Sequence, residues 1–343
     1  MLGEISEVGI LGAGLGGLAA AIKLADGGVK VNVFERKASV GSGFGYHVNA
    51  LRDYGMGALY ELHELGLDLE PCSRIQKVFR LAPGVRSETQ GSSYVLFERG
   101  NGENSLENQL YRLCLEKGVN FKFNAKIPFD ADEVKVVATG APRDKRNILG
   151  VGYAYPMEEI SLLGDELAMV YDNGLAPQGY VCLLPGSKEA MLLSVSFTEL
   201  NRSELKKKLD LGLEGGLLGP FLGSASPRKS IFGYGYVQED PISSAEQYGK
   251  LFVGESCGFQ DARRGFGISY ALDTGITAAQ SILLEVPYNQ LLRDRFGTEF
   301  QNLWAARQRQ NGFTNEDYVH MLTGLGEVIK VNSYVDWKSE AGR

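Results

Sequence analysis

Gly12-Ala13-Gly14-Leu15-Gly16-Gly17, near the start of the chain, has a spacing that can receive a diphosphate. Glu7 to Leu11 before it reads as a buried strand, and Leu18 to Ala25 after it as a helix stopped by Gly27-Gly28. Val29 to Phe34 reads as a second strand, closed by an acid, Glu35. In a strand–GxGxxG–helix–strand–acid unit each glycine meets a separate backbone demand. Gly12 permits the turn, Gly14 lets phosphate approach the backbone, and Gly17 lets helix and strand pack closely. The helix start, from Leu15 and Gly16 onward, offers free N–H groups and the positive end of the helix dipole. Glu35 can accept hydrogen bonds from the ribose hydroxyls of an adenosine. These features in register predict an ADP-containing cofactor and do not choose between NAD and FAD. Arg36 reads either as an adenine-side residue or as a solvated strand-end charge.

A second segment far downstream makes that choice. Leu251-Phe252-Val253-Gly254-Glu255 reads as a buried strand ending in glycine and acid, with a helix opening at Gly265-Phe266-Gly267-Ile268. An extended FAD, gripped at its adenosine end by the first unit, needs a second anchor for its ribityl chain and flavin. Glu255 can take ribityl hydroxyls, and the glycine-rich helix start can donate N–H groups to the flavin edge where negative charge gathers on reduction. Between the two units, Val134 to Ala138 reads as a strand ending at Thr139-Gly140, again where a turn must pass a cofactor. Ser105 to Lys117 is amphipathic and leads into a short strand at 119–123, which extends a parallel sheet.

The chain has 343 residues, 44% hydrophobic and 22% charged, so disorder as the main state is excluded. Its net charge of −7 argues against a nucleic-acid partner, which would need a clustered basic surface. The four cysteines (Cys72, Cys114, Cys182, Cys257) and three histidines (His47, His63, His320) are scattered, so no metal motif and no disulfide framework is expected. The N-terminus carries acids where a signal peptide would carry bases, and the uncharged stretch Val8 to Ile22 is short for a membrane span. A cytoplasmic chain is expected.

Arg74–Leu81, Ser93–Glu98, Gly152–Met157, Glu166–Tyr171, Gly179–Leu184, Ala190–Phe197 and Ser230–Gln238 read as strands, separated by turn signals such as Ala-Pro-Gly at 82–84. The expected fold is α/β: a Rossmann-type FAD-binding domain with a parallel sheet, an inserted, mainly antiparallel substrate-binding sheet, and C-terminal helices. The boundaries expected are 1–70, 100–145 and 243–286 for the discontinuous FAD domain, 71–99 and 146–242 for the sheet domain, and 287–343 for a helical tail. No second strand–GxGxxG–helix unit exists, which suggests a flavoprotein reduced by a transiently docking donor.

Together these segments resemble the FAD-dependent oxidoreductases that share a fold with p-hydroxybenzoate hydroxylase, most of all the geranylgeranyl reductase branch. Gly258-Phe259-Gln260-Asp261 with Gly265-Phe266-Gly267 is similar to the family's flavin-binding loop and helix. Gly179 to Pro185 is similar to a segment that walls the reductases' substrate cavity, which implies Tyr180, Cys182 and Leu184 as cavity residues. The chain departs from the family at three places. Glu255 stands where Asp is usual, no cysteine occurs in Gly43 to Asn49, and Cys182 replaces an expected aromatic.

The resemblance implies reduction of a carbon–carbon double bond in a hydrophobic, isoprenoid-like small molecule, with hydride from flavin N5 and a proton to the other carbon. It also implies NAD(P)H or reduced ferredoxin as electron donor, and peripheral membrane contact. Flavin-dependent hydroxylation, or non-catalytic electron carriage, are the alternatives. Tyr46 and His47 fall where the loop after the second strand would pass the flavin, so either could gate the site or protonate the substrate; His47 also reads as a structural histidine. Cys257 reads as a reactive thiol or a buried packer, and Arg263 and Arg264 as a site for an anionic substrate group or as an ordinary charged loop.

Overall fold

The computed structural model describes residues 7–43, 45–53, 57–213 and 216–330. The chain begins with β1 (Glu7–Leu11), α1 (Leu15–Asp26), β2 (Lys30–Phe34), β3 (His47–Arg52) and α2 (Ala58–Glu64). A long hairpin, β4 (Ser73–Ala82) and β5 (Val85–Arg99), precedes α3 (Leu106–Glu116), β6 (Asn120–Lys122) and β7 (Val134–Val137). Next come β8 (Ile148–Pro156), β9 (Glu166–Val170), β10 (Tyr180–Leu184), β11 (Glu189–Ser196), α4 (Arg202–Leu213), α5 (Gly219–Leu222) and β12 (Lys229–Gly235). The remainder is β13 (Glu246–Gln247), β14 (Lys250–Phe252), α6 (Ile268–Leu284), α7 (Tyr288–Phe296), α8 (Glu299–Gln310), α9 (Asn315–Leu325) and β15 (Val328–Lys330).

The chain divides into two units, the first being Met1–Tyr46, Arg99–Arg146 and Gly235–Arg307, the second His47–Glu98, Asn147–Tyr234 and Gln308–Arg343. The stretch from 287 is thus shared between them, with the division inside α8.

Unit 1 holds a six-stranded sheet in the order β13-β14-β7-β1-β2-β6. All neighbours run parallel except β13 with β14. Register decides what this sheet can do. Leu11 is paired with Phe34 on one side and Val137 on the other, and Val137 is paired with Phe252. The turns after β1, β7 and β14 therefore leave side by side at one edge, where strand order reverses, the usual place for a ligand in such sheets. Helix α1 is buried nearly all round, with Leu18, Ala19, Ala20 and Ala21 at 0% exposure, which explains its alanine content. α6 crosses it at glycine: a Cβ on Gly275 would lie 2.2 Å from the Gly16 carbonyl oxygen, so backbone meets backbone there. The other sheet face is closed by Leu11, Phe34, Val134 and Val137 under the loop residues Ala125, Ile127 and Ala131.

Unit 2 holds a nine-stranded sheet in the order β12-β8-β11-β10-β9-β4-β5-β15, with β3 paired to β5. Its hairpins are antiparallel, but β4–β9 and β5–β15 are parallel. β4 and β9 are separated by the chain's passage through unit 1 at 99–146, so no hairpin can join them. One face is a core of Phe79, Leu81, Ala168, Val170, Val181, Leu183, Ala190 and Leu192 beneath Leu209, Phe221 and Leu222. Three elements differ from the sequence expectation. β5 begins at Val85 rather than Ser93, because residues 86–90 pair with β4 as the second arm of the hairpin. β3 forms where a loop was expected, and β15 returns the tail to the sheet edge at Glu88–Gln90.

Candidate functional site

At the edge of the unit 1 sheet the first turn is built as the motif requires. Gly12 has φ +100°, and a Cβ there would lie 2.5 Å from the Ala138 carbonyl oxygen. Gly14 is the N-cap of α1 in extended conformation, and no side chain caps the helix, nor does an acid stand in its first turn. The N–H groups of Leu15, Gly16 and Gly17 are thus the ones an α-helix leaves without intrahelical acceptors. Gly12 and Gly14 keep some surface, while Ala13 and Leu15 are buried. Glu35 is pre-oriented: one carboxylate oxygen accepts from Ala13 N at 2.9 Å and the other from Lys37 N at 2.9 Å. Arg36 is exposed at the strand end.

Beside it, Ala138 N donates to Leu11 O at 2.7 Å, which ties the turn carrying Thr139 and Gly140 to the end of β1. Thr139 is exposed, and Gly140 has φ +73°. The third turn is fixed by Gly254 N donating to Thr274 Oγ1 at 2.9 Å and by Val253 N donating to Val137 O at 3.0 Å. α6 starts at Ile268 with Gly267 as its N-cap, again without a side-chain cap and without an acid in the first turn. Gly265, Phe266 and Gly267 are half-buried. Unit 1 thus brings the adenosine-side residues, Thr139–Gly140 and the second acid–helix segment to one sheet edge.

Glu255 differs from Glu35. Among the described residues no donor hydrogen-bonds to its carboxylate, although the group is deep-set with only part of its surface open. Burial pushes its pKa up to about 7, against the pull of the Arg99 and Arg146 guanidiniums. Gln260 stands next to it, since a Cβ on Gly267 would lie 3.4 Å from Gln260 Nε2 and 3.6 Å from Glu255 Oε1. Gln260 Nε2 donates to Gly265 O at 2.8 Å, and its buried Oε1 has no partner among the described residues. An open carboxylate, an orphaned amide oxygen and an uncapped helix start fit a ligand rich in hydroxyl and N–H donors and carrying a developing negative edge.

Arg99 and Arg146 were not singled out in the sequence, and Gln260 entered only within the segment likened to a flavin-binding loop. Arg99 is held by Glu107, with Nη2 at 2.7 Å and Nε at 2.8 Å from Oε1, and only its strand-end position before α3 could have signalled it. Cys257 is 3% exposed, burial pushes its thiol up, and its Sγ donates to Phe252 O at 3.3 Å, so it packs rather than reacts. Asp261 accepts from the backbone N–H groups of Arg263 and Arg264 at 2.7 and 3.2 Å, which orders that loop.

In unit 2, Tyr180, Cys182 and Leu184 alternate with the core residues Val181 and Leu183 and so share the opposite sheet face. All three are buried, and burial raises the Cys182 thiol to about 12. Tyr46 is the last residue of the first stretch of unit 1. His47 opens β3 in unit 2, where its Nε2 lies 4.0 Å from the Cβ position of Gly233. Among the described residues no group of His, Cys, Asp and Glu converges to hold a metal ion, and no helix is long and apolar enough to cross a membrane.

Residues 10–66 match a family model described as an NAD(P)-binding Rossmann-like domain. No curated protein sequence matches the chain. Among solved structures, a geranylgeranyl bacteriochlorophyll reductase-like protein from Thermoplasma acidophilum has 19% identity and a TM-score of 0.79, over 96% of this chain and 94% of that one. A flavin-dependent brominase has 14% identity and a TM-score of 0.62, over 97% and 96% of the two chains. A myxobacterial FAD-dependent chondrochloren halogenase has 14% identity and a TM-score of 0.62, over 94% and 90%. These likenesses show a common fold, a Rossmann-type unit with an inserted, largely antiparallel sheet.

Proposed function

We propose that this chain is an FAD-dependent oxidoreductase that reduces a carbon–carbon double bond in a hydrophobic, isoprenoid-like small molecule, in the manner of a geranylgeranyl reductase. The observation that carries the FAD reading is the second acid: a deep-set carboxylate without hydrogen-bond donors among the described residues, beside the orphaned Gln260 Oε1 and an uncapped helix, at the same sheet edge as the diphosphate turn. The α1 start and Gly14 would hold the diphosphate, with Glu35 on the adenosine ribose and Thr139–Gly140 alongside. Glu255, Gln260 and the Gly265–Ile268 helix start would hold the ribityl chain and the flavin edge. When bound and reduced by its electron donor, the flavin would supply a hydride to one carbon of the substrate double bond and return to FAD. Tyr46 or His47 would hold or deliver the proton, and Tyr180, Cys182 and Leu184 would present an apolar wall to the substrate. NAD(P)H or reduced ferredoxin is the proposed electron donor, and a cytoplasmic location with peripheral membrane contact suits a greasy substrate.

The apolar wall and the likeness to a reductase-like protein support reduction. Halogenases share the fold, which keeps oxygen-dependent chemistry as a second reading. FAD titration tests the cofactor, and a colourless protein that quenches no flavin fluorescence refutes it. Anaerobic mixing of the reduced protein with isoprenoid alkenes tests the reaction. Reoxidation with saturation of the alkene supports the proposal; reoxidation by oxygen alone, with an oxygenated product, overturns it in favour of the second reading.

A further inference from the structure

Among the described residues of unit 2, Arg80 is a fully buried guanidinium whose hydrogen-bonding capacity is not filled. Arg80, on β4, is 2% exposed. Its Nη1 donates to Thr89 Oγ1, and among the described residues its Nη2 has no hydrogen-bond partner. The neighbouring acids are on the wrong side. Glu88 is in register with Phe79, and Glu166 with Lys77, its ion-pair partner at 3.3 Å, so both belong to the core face. Arg80 alternates with Phe79 and Leu81 and projects from the other face. An unpaired buried guanidinium is costly and would not be expected in a face meant only for packing.

The same face carries the apolar wall. Paired residues of neighbouring strands point the same way, and Arg80 is in register with Met169, Met169 with Cys182, and Cys182 with Leu193. A row therefore runs from one cation across three apolar side chains, over three strand spacings or roughly 14 Å. Leu193 is in register with Gly152, where the strands approach so closely that a Cβ would lie 1.8 Å from the Leu192 carbonyl oxygen. Tyr171, two residues beyond Met169, packs against Tyr318 of α9 with ring centroids 5.6 Å apart and closes the row on that side.

We propose that Arg80 anchors the anionic group, a carboxylate or a phosphate, of an otherwise apolar ligand held along this face of the unit 2 sheet. That this ligand is the substrate rests on the function proposed above; the site itself rests only on Arg80 and its row. The anion accepts from Nη2 and neutralises the buried charge, while the chain lies over Met169, Cys182 and Leu193.

The test uses the full chain with added FAD and three probes: hexadecanoate, hexadecyl phosphate and hexadecan-1-ol. Isothermal titration is run on the wild type, Arg80→Met and Arg80→Lys. The anionic probes are expected to bind the wild type, to lose roughly ten- to hundredfold in affinity with Arg80→Met, and to be largely restored by Arg80→Lys. The alcohol binds all three proteins alike, and whichever anionic probe binds more tightly distinguishes carboxylate from phosphate. Without probe, Arg80→Met melts no lower than the wild type, because a neutral side chain replaces an unpaired charge. The proposal is overturned if the wild type shows no preference for the anions over the alcohol, or if both variants melt well below the wild type with probe binding unchanged. Flavin absorbance read on the same samples reports FAD binding separately, so failure of the cofactor reading is not confused with failure of the Arg80 site.

Discussion

Replacing Glu255 by Gln should change the pH dependence of stability in a defined window. The ordinary pKa of the carboxyl is 4.5, and burial raises it to about 7 in the folded chain. Below about pH 4.5 the group is protonated folded and unfolded, and contributes nothing. Between there and about pH 7 the unfolded chain has released the proton and the folded chain keeps it. The folded state then binds more protons, so stability falls as pH rises, by about 1.4 kcal/mol per pH unit. The interval gives a loss of about 3 kcal/mol, complete and constant above pH 7. Glu255→Gln keeps the shape and removes the proton, so it should equal the wild type near pH 4 and exceed it by about 3 kcal/mol near pH 8. Urea denaturation followed by circular dichroism, without added flavin, measures this. A difference of the same size at both pH values would refute the reasoning, because a packing effect does not titrate. Hydroxyl donors from a ligand favour the ionised carboxylate. FAD affinity should therefore rise between about pH 6 and 8 in the wild type and stay flat in the variant.

Gly275→Val would place side-chain atoms against the Gly16 backbone, where even a Cβ lies 2.2 Å from the carbonyl oxygen. It should cost about 1–3 kcal/mol or more and weaken FAD binding, because the α1 start moves with the helix; wild-type denaturation and FAD titration curves would contradict this. Arg99→Met leaves the Glu107 side chain, 2% exposed, without its cation, and should cost about 3–5 kcal/mol in the same urea assay. It should also move the pH-dependent loss at Glu255 to higher pH, since Arg99 now holds that carboxyl down. The native protein should show no fast-reacting thiol near pH 8, because burial raises Cys72, Cys114 and Cys182 to about 12 and Cys257 further; a rapid burst with a disulfide reagent would contradict it.

The unit 1 frame was legible because its chemistry is written in local patterns. Gly12 to Glu35 is contiguous, and its glycines answer backbone demands that few other residues meet. Gly12 takes a positive φ, and a Cβ on Gly16 would lie 2.9 Å from the Ala271 carbonyl oxygen. The second segment was legible for the same reason, a strand, glycine and acid in tandem before a helix. Hairpin turns such as that at Pro83-Gly84 marked the inserted sheet, but the parallel β4–β9 join leaves no local trace because its strands meet only through tertiary register. β3 is a six-residue strand following a glycine-rich stretch, whose pairing with β5 depends on a partner far along the chain. Arg99, Arg146 and Arg80 were missed for a related cause: an arginine reads as a surface charge until burial is known.

The contrast between the two acids bears on why the longer side chain stands at 255. Glu35 is fixed before any ligand arrives, because two backbone N–H groups hold its oxygens, and a ribose adds donors to lone pairs already aimed. Glu255 has no such guide, and two arginines act on it electrostatically. An aspartate at the same backbone position would withdraw the carboxylate by one methylene toward the Gly254 turn and away from the Gly267 cap, where Glu255 Oε1 and Gln260 now converge. Glu255→Asp should therefore lower FAD affinity even though it retains the charge, while Gln260→Leu should lower it by removing an acceptor that the protein leaves empty. If either loss arose only from misfolding, the melting temperature without flavin would fall with it. Loss of affinity with an unchanged melting temperature would place the effect at the ligand.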